Sequence, residues 1–206
     1  MAFRVNYRGN QGFSLGPIGF LIVANLIFWL ATSVRPNLFI DLFGLSRNNL
    51  FAQPWTVVTS MFIHSPFSPL NPLGSMGHIF GNMITLYFFG NYLINLIGDK
   101  KFLIVYFVGG VLGSIAFLLL APPFATAIGA SGAVFAVGGA LTVLRPKLPV
   151  TLLLFFIPVT IPLWVAVIGG FLLISPGVAW QAHLGGLAFG LASGYFFKRN
   201  SNRLYY

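Results

Sequence analysis

The sequence SGAVFAVGGALTVL, at positions 131–144, determines the fold that we predict for the whole chain. It is apolar almost throughout and is followed by the basic residues Arg145 and Lys147. As an α-helix this segment measures about 21 Å, whereas the hydrocarbon core of a bilayer is about 30 Å thick. If the helix lies in a membrane, its first residue, Ser131, therefore lies inside the bilayer and not at its surface.

The composition of the chain indicates a membrane protein. Of 206 residues, 57% are hydrophobic, 11 are Lys or Arg and 2 are Asp or Glu, which is not the composition of a soluble domain. Long apolar runs separate the charges, as transmembrane helices require. We therefore predict an all-α membrane protein with one domain over residues 1–206 and six transmembrane helices, at approximately 17–34, 77–98, 102–121, 131–144, 148–174 and 180–197.

The basic residues predict the orientation of the helices, because short cytoplasmic loops carry an excess of Lys and Arg. Arg35 and Arg47 fall at one set of helix ends, and the others fall at the opposite set: Arg4, Arg8, Lys100, Lys101, Arg145, Lys147, Lys198, Arg199 and Arg203. We predict a multi-pass protein of the cell membrane with both termini cytoplasmic. The net charge of +9 fits this topology and contact with anionic membrane lipids, and we expect no nucleic-acid partner.

The connection between the first two predicted helices, residues 35–76, is long and rich in apolar residues. It includes Leu38-Phe39-Ile40 and Trp55-Thr56-Val57-Val58. A segment of this composition would rather lie in the membrane interface than stand in water. We therefore predict a long interfacial first external loop, with an irregular Pro-rich and Gly-rich turn over residues 65–77.

Two polar residues on different predicted helices share one depth. Ser131 is about 14 residues from Arg145, and His183 is about 15 residues from Lys198, so both lie about 21 to 23 Å from the cytoplasmic helix ends. Polar groups inside a membrane are costly and are often functional. The shared depth therefore favours a catalytic pair, although a single membrane serine is commonly a packing residue that bonds its own helix.

His78 and Asn82 are spaced i and i+4 on the second predicted helix and so share one face of it. Both fall near the end of the helix that is predicted to be external. We predict that they converge with Ser131 and His183 below the outer surface. The alternative for Asn82 is a hydrogen bond to a neighbouring helix, as amides form in membrane bundles.

Glycines supply a further argument for this convergence. Gly129 and Gly132 flank Ser131 at the start of a helix, where free backbone N–H groups and the positive end of the helix dipole would stabilise an oxyanion. On the sixth predicted helix, Gly186 and Gly190 belong to a stripe of small residues that lets two helices approach closely. His183 lies one turn before Gly186 and would share the face in contact.

Three motifs resemble the rhomboid family of intramembrane serine proteases. They are Gly129-Ala130-Ser131-Gly132 on the fourth predicted helix, His78 with Asn82 on the second, and Ala182-His183-Leu184-Gly185-Gly186 with Gly190 on the sixth. The motifs occur in the family's order on the corresponding helices. The resemblance covers about residues 17–197.

The resemblance implies a six-helix bundle that cleaves transmembrane protein substrates near the external face, without a cofactor or a metal ion. By position, Ser131 would be the nucleophile and His183 the general base. The oxyanion would be stabilised by His78, Asn82 and the backbone N–H of Ser131. Phe135 stands where the family usually places an aromatic ring, often Tyr, against the catalytic imidazole.

The residues themselves favour a two-residue catalytic site. The two carboxylates, Asp41 and Asp99, fall far from the predicted pair, and the chain contains no cysteine. A Ser-His-Asp triad, an aspartic dyad and a cysteine nucleophile are therefore excluded. We predict substrate entry beside the fifth helix and residues 166–180, because Pro158 and Pro162 interrupt that helix.

Two alternatives from other functional classes stay open. The first is a catalytically inactive rhomboid-like protein that binds membrane proteins or acts as their chaperone. The second is a transporter, or a metal site built from His64, His78 and His183, since three imidazoles can hold zinc. The Pro-rich turn between His64 and His78, and the lack of charged residues at the membrane midplane, argue against the second alternative.

Overall fold

A computed structural model of the chain describes residues 15–154, 157–177 and 179–200. Most of these residues are helical, as predicted, and the helices are α1 (Gly16–Val34), α2 (Pro36–Phe43), α3 (Thr56–Thr59), α4 (Pro72–Ile97), α5 (Asp99–Leu120), α6 (Ser131–Leu144), α7 (Leu163–Ile174) and α8 (Trp180–Arg199). Two antiparallel strand pairs join β1 (Leu45–Ser46) to β2 (Thr126–Ala127) and β3 (Pro149–Leu154) to β4 (Ile157–Pro162). The basic residues that contributed to the predicted orientation but lie outside the described part are Arg4, Arg8 and Arg203.

The described helices differ in their ability to cross a membrane. By length and composition, α1 and α5 are long and apolar enough to do so. The 14 residues of α6 and the 12 of α7 are apolar but shorter than a bilayer core, at about 21 and 18 Å. With 26 and 20 residues, α4 and α8 have the length but are less apolar. The bundle of six transmembrane helices therefore stays a prediction.

The second predicted helix begins five residues earlier than expected. It starts at Pro72, and the side chain of Asn71 caps it, because Oδ1 accepts a hydrogen bond of 3.0 Å from the N–H of Gly74. Proline is favoured in the first turn of a helix, where its missing N–H would have no partner. The Pro-rich segment is therefore partly a helix start, and the irregular turn is shorter than predicted.

The prediction of one helix over 148–174 was wrong. Residues 149–154 and 157–162 form two antiparallel strands, the β3–β4 hairpin, with Pro149 opposite Pro162 and Thr151 opposite Thr160. Prolines remove helix donors, and the many β-branched residues of this segment favour a strand. Only α7, which begins directly after Pro162, is helical. Its first N–H groups donate to carbonyls of the chain that leaves α6, at 2.8 Å from Leu163 to Leu148 and 3.2 Å from Trp164 to Pro146.

Helix α6 lies at the centre of the fold. It packs against α4, α5, α7 and α8, and most of its residues are buried. Its range coincides with the apolar segment 131–144 of the sequence. The contact with α8 is the closest, because glycines on α8 face the backbone of α6 directly.

The connection between α1 and α4 folds against the end of α5. Leu45 of β1 is fully buried and clusters with Phe117 and Ala121 of that end. The guanidinium of Arg47 donates hydrogen bonds to the carbonyl oxygens of Leu118 and Ala121, the latter at 3.1 Å, and so caps the last turn of α5. Because β1 also pairs with β2, this connection is tied to the segment that leads into Ser131.

Candidate active site

Ser131 is the first residue of α6, and the turn before it fixes its position. Gly129 in that turn has φ of +119°, a conformation that side chains rarely adopt, and its N–H donates to the carbonyl of Ser60 at 2.8 Å. A Cβ on Gly129 would lie 2.7 Å from His78 Nε2 and 3.8 Å from Ser131 Oγ. The glycine is therefore needed for both the backbone turn and the space between these two polar atoms.

His183 lies in the first turn of α8, and its Nε2 is 2.7 Å from Ser131 Oγ. The imidazole is buried, with 3% of its surface exposed. The short distance follows from the α6–α8 contact, because a Cβ on Gly186 would overlap the carbonyl oxygen of Gly132, and one on Gly190 would overlap that of Ala136. The structure thus brings the two predicted residues together across a contact between backbones.

The ring of Phe135 lies against the imidazole. The two ring centroids are 4.7 Å apart, and the planes are inclined by 36°. Phe135 is one turn after Ser131 on α6, so the same helix supplies the hydroxyl and the aromatic support. On its other side, Phe135 meets Phe171 of α7 edge to face at 5.9 Å, which extends the stack to a third helix.

Sequence reasoning missed Ser175. Its Oγ is 2.8 Å from Nδ1 of His183, the imidazole nitrogen that does not face Ser131. Ser175 begins a short 3₁₀ turn, Ser175–Gly177, directly after α7. Buried imidazole nitrogens usually have a hydrogen-bond partner. Since the sequence places no carboxylate near His183, a search for another polar partner of this imidazole could have found Ser175.

His78 lies on α4 with its ring directed at the turn before Ser131. Its Nδ1 lies 3.3 Å from the backbone N–H of Ser65 and 3.0 Å from Ser65 Oγ. A backbone N–H can only donate, so Nδ1 accepts and the ring proton is assigned to Nε2. That N–H lies beside Gly129, in the space next to Ser131 Oγ. Ser65 was not predicted from the sequence.

Asn82 is buried one turn after His78 and lines the same cavity as Ser131 and His183. Its Nδ2 donates a hydrogen bond of 2.7 Å to the carbonyl of His78, on its own helix. An amide has a second N–H on the same nitrogen. The bond to a neighbouring helix that was considered as the alternative is not what Nδ2 makes here, because its partner is on α4 itself. Asn82 therefore combines a local bond with a position at the cavity wall.

His64 belongs to the packed interior behind this site. Asn25 of α1 donates through Nδ2 to the carbonyl of Leu21 at 2.8 Å, so its Oδ1 faces His64 Nε2, 2.9 Å away. Nε2 therefore carries the proton. Burial, and to a smaller extent the neighbouring His78, lower the pKa of His64 to about 3. The rings of His64 and His78 are 4.9 Å apart, so His64 supports His78 as a neutral group.

A cavity of about 320 Å³ opens from the Ser131 and His183 pair toward α4 and α7. Apart from the polar residues already named and Thr85, its walls are glycine and apolar side chains, among them Gly77, Gly81, Leu152, Val167 and Gly170. Leu152 belongs to the β3–β4 hairpin, which therefore contributes to the wall of the cavity. Within the described residues, no group of three or more His, Cys, Asp or Glu side chains could hold a metal ion.

The site is a serine and histidine pair whose serine is the first residue of a buried helix. It lies in a mainly helical chain that contains apolar helices. A family model described as "Rhomboid domain" matches residues 52–200. The chain belongs to the rhomboid family, whose proteases are membrane serine proteases. Together with the apolar helices, this identifies a membrane protein.

Two relatives show how far the similarity extends. "Rhomboid protein 1, mitochondrial" of Saccharomyces cerevisiae is 28% identical over 174 residues, which are 78% of this chain and 47% of that protein. "Rhomboid protease GluP" of Bacillus subtilis is 33% identical over 102 residues, 48% of this chain and 18% of that protein. The chain thus spans about half or less of the length of these curated relatives.

Proposed function

We propose that this protein is an intramembrane serine endopeptidase that cleaves membrane-anchored proteins through a dyad of Ser131 and His183. The observation that carries the proposal is the 2.7 Å contact between Ser131 Oγ and His183 Nε2 at the start of a buried helix. Membership of a family that contains serine proteases supports it. We further propose six membrane crossings within a single domain, formed by α1, α4, α5, α6, α7 with its hairpin, and α8, with cytoplasmic termini.

In the acylation step, Ser131 Oγ attacks the carbonyl carbon of the scissile peptide bond while its proton passes to His183 Nε2. The tetrahedral intermediate collapses, the C–N bond breaks, and the imidazolium returns the proton to the leaving amine. Water then hydrolyses the acyl-enzyme with His183 again acting as the base. The apolar stack with Phe135 keeps the ring in the orientation that both transfers need.

The oxyanion of the intermediate is stabilised by three donors. The backbone N–H of Ser131 lies in the first turn of α6, where helix geometry provides no intrahelical partner. His78 contributes Nε2–H, whose proton follows from the hydrogen bond that Ser65 donates to Nδ1. Asn82 contributes the second N–H of its amide. Donors of this kind are typically worth about 2.7–4 kcal/mol each in transition-state stabilisation.

Substrate reaches the dyad through the cavity between α4 and α7. The scissile segment must be unwound, because a helical peptide bond is enclosed by its own hydrogen bonds. The glycine and apolar walls of the cavity suit a transmembrane segment that arrives from the lipid, and the remaining partners are the membrane lipids themselves. From the sequence, substrate entry was predicted beside a fifth helix over residues 148–174. We now propose that the shorter α7 and the β3–β4 hairpin flank the entry instead.

The test is cleavage of a model single-span substrate by the purified protein in liposomes. We expect Ser131→Ala and His183→Ala each to abolish cleavage, and Ser193→Ala to retain it. Ser193 is a matched control because its hydroxyl bonds the carbonyl of Gly190 further along α8. Cleavage that persists in Ser131→Ala would overturn the proposal, and a parent that is inactive on several substrates would favour an inactive, client-binding rhomboid-like protein.

A further inference from the structure

The catalytic dyad leaves one buried contact of His183 unexplained. Nδ1 of His183 meets Ser175 Oγ at 2.8 Å, and Ser175 is only 2% exposed. Ser175 is far from Ser131 along the chain and does not belong to α6 or α8, which carry the dyad. The segment that follows α7 therefore contacts the imidazole at Nδ1, the nitrogen that does not face Ser131.

Ser175 is attached to α7. It directly follows the last helical residue, and its N–H donates to the carbonyl of Phe171, so the end of α7 holds it in place. The same helix carries Phe171, whose ring meets that of Phe135 edge to face at 5.9 Å. The imidazole of His183 is thus held by α7 at two points, directly through a hydroxyl and indirectly through an aromatic stack.

We infer that Ser175 is a positioning residue for His183, in the place that a carboxylate occupies in a Ser-His-Asp triad. Its Oγ accepts a hydrogen bond from Nδ1–H and so directs the lone pair of Nε2 toward Ser131. This inference rests on the proposed protease function. By this inference, α7, which lines the cavity opposite α4, also positions the dyad through Ser175.

The direction of the hydrogen bond follows from the reaction. Nε2 can accept the proton of Ser131 only if the ring proton is on Nδ1, and the imidazolium that forms has N–H groups on both nitrogens. In the reactive states, Ser175 must therefore accept. A neutral hydroxyl stabilises the imidazolium less than a carboxylate does, and it avoids placing an unpaired negative charge in the membrane.

The experiment compares Ser175→Ala, Ser175→Thr and the control Ser193→Ala in the full chain. For each, cleavage of a single-span substrate gives kcat and KM, and a small fluorophosphonate measures the reactivity of Ser131 without substrate docking. Removing a hydrogen bond to a charged group is expected to lower kcat by about tenfold to a hundredfold. KM should stay unchanged, because Ser175 need not touch substrate for this role.

Ser175→Thr keeps a hydroxyl at this position, so it should retain most of the kcat that Ser175→Ala loses. The fluorophosphonate rate should fall in Ser175→Ala by the same factor as kcat. Thermal stability in detergent, measured for all variants, separates loss of fold from loss of positioning.

Equal kcat and labelling in Ser175→Ala and in the parent would overturn the inference and leave the protease proposal intact. A fall in kcat with unchanged labelling would also overturn it, because Ser175 would then act on substrate and not on His183. If the parent neither cleaves nor labels at Ser131, it is the proposed function that fails.

Discussion

Helix α6 has two sides, and glycines on the helices that face them have opposite surroundings. On α8, a Cβ at Gly186 or Gly190 would overlap backbone oxygens of α6, whereas Cβ atoms at Gly81 of α4 and at Gly169 and Gly170 of α7 would meet nothing within 4 Å. Gly81 and Gly170 line the cavity. The same residue type therefore allows backbone contact on one side and leaves room for another molecule on the other. In the proposed mechanism, the closed side positions the dyad and the open side gives substrate access to it.

The largest effect is expected from Gly186→Ala on the closed side. The new Cβ would overlap the carbonyl of Gly132, so α8 must move away and carry His183 with it. Overpacking of this kind costs about 1–3 kcal/mol or more. We expect a clear fall in the thermal stability of the purified protein and loss of substrate cleavage. Gly169→Ala is the control, and equal effects of the two substitutions would contradict the comparison.

A smaller and more selective effect is expected from Gly81→Leu on the open side. The side chain would extend into the cavity that α4 shares with α7, without disturbing the α6–α8 contact. Cleavage of a single-span substrate should fall by about tenfold or more, as expected when about 1.4 kcal/mol of substrate binding is lost. Labelling of Ser131 by a small fluorophosphonate and the thermal stability should change little. A parallel loss of labelling would show that the substitution acts on the dyad instead.

The most gradual effect, spread over several pH units, concerns two histidines that differ in the same way as the glycines. His64 is fully buried in the packed interior, whereas His78 lines the cavity. Because burial lowers the pKa of His64 from 6.5 to about 3, the folded protein keeps it neutral while the unfolded chain protonates below about pH 6.5. Its contribution to stability is complete above pH 6.5 and is lost as the pH falls toward 3, by at most about 1.4 kcal/mol per pH unit.

Thermal unfolding in detergent between pH 7 and pH 5 measures this contribution. We expect the melting temperature of the parent to fall more steeply with acidification than that of His64→Gln, whose amide can still donate to Asn25. Since His78 and His183 are present in both proteins, the difference in slope belongs to His64. Identical slopes would mean that His64 is protonated in the folded state.

The sequence was informative where a residue's role depends on charge or on spacing along one helix. The range 131–144, the glycines facing α6 and the partnership of Ser131 with His183 all follow from apolar run lengths and helical periodicity. The hairpin did not follow, because an unbroken apolar run is compatible with either a buried helix or strands. Its prolines were read as interruptions of a helix, whereas they stand in a hairpin.

Residues that act through long-range contacts were also missed. Ser65 and Ser175 are ordinary serines in Pro-containing segments, and nothing in their neighbours along the chain marks them. Their roles arise only when loops meet the histidines of α4 and α8. Buried imidazole nitrogens usually have hydrogen-bond partners, which suggests that such groups exist but does not say where in the sequence they lie.

The pairing of β1 with β2 has a consequence for the order in which the protein folds. Leu45 pairs with Ala127, so the connection after α1 obtains its partner only after all of α5 has been synthesised. Contacts between residues so distant in sequence are slow to form, because the intervening chain must first be ordered. The turn that orients Ser131 follows β2 directly and is therefore expected to become ordered late, so the proposed nucleophile would not be assembled on a partly synthesised chain.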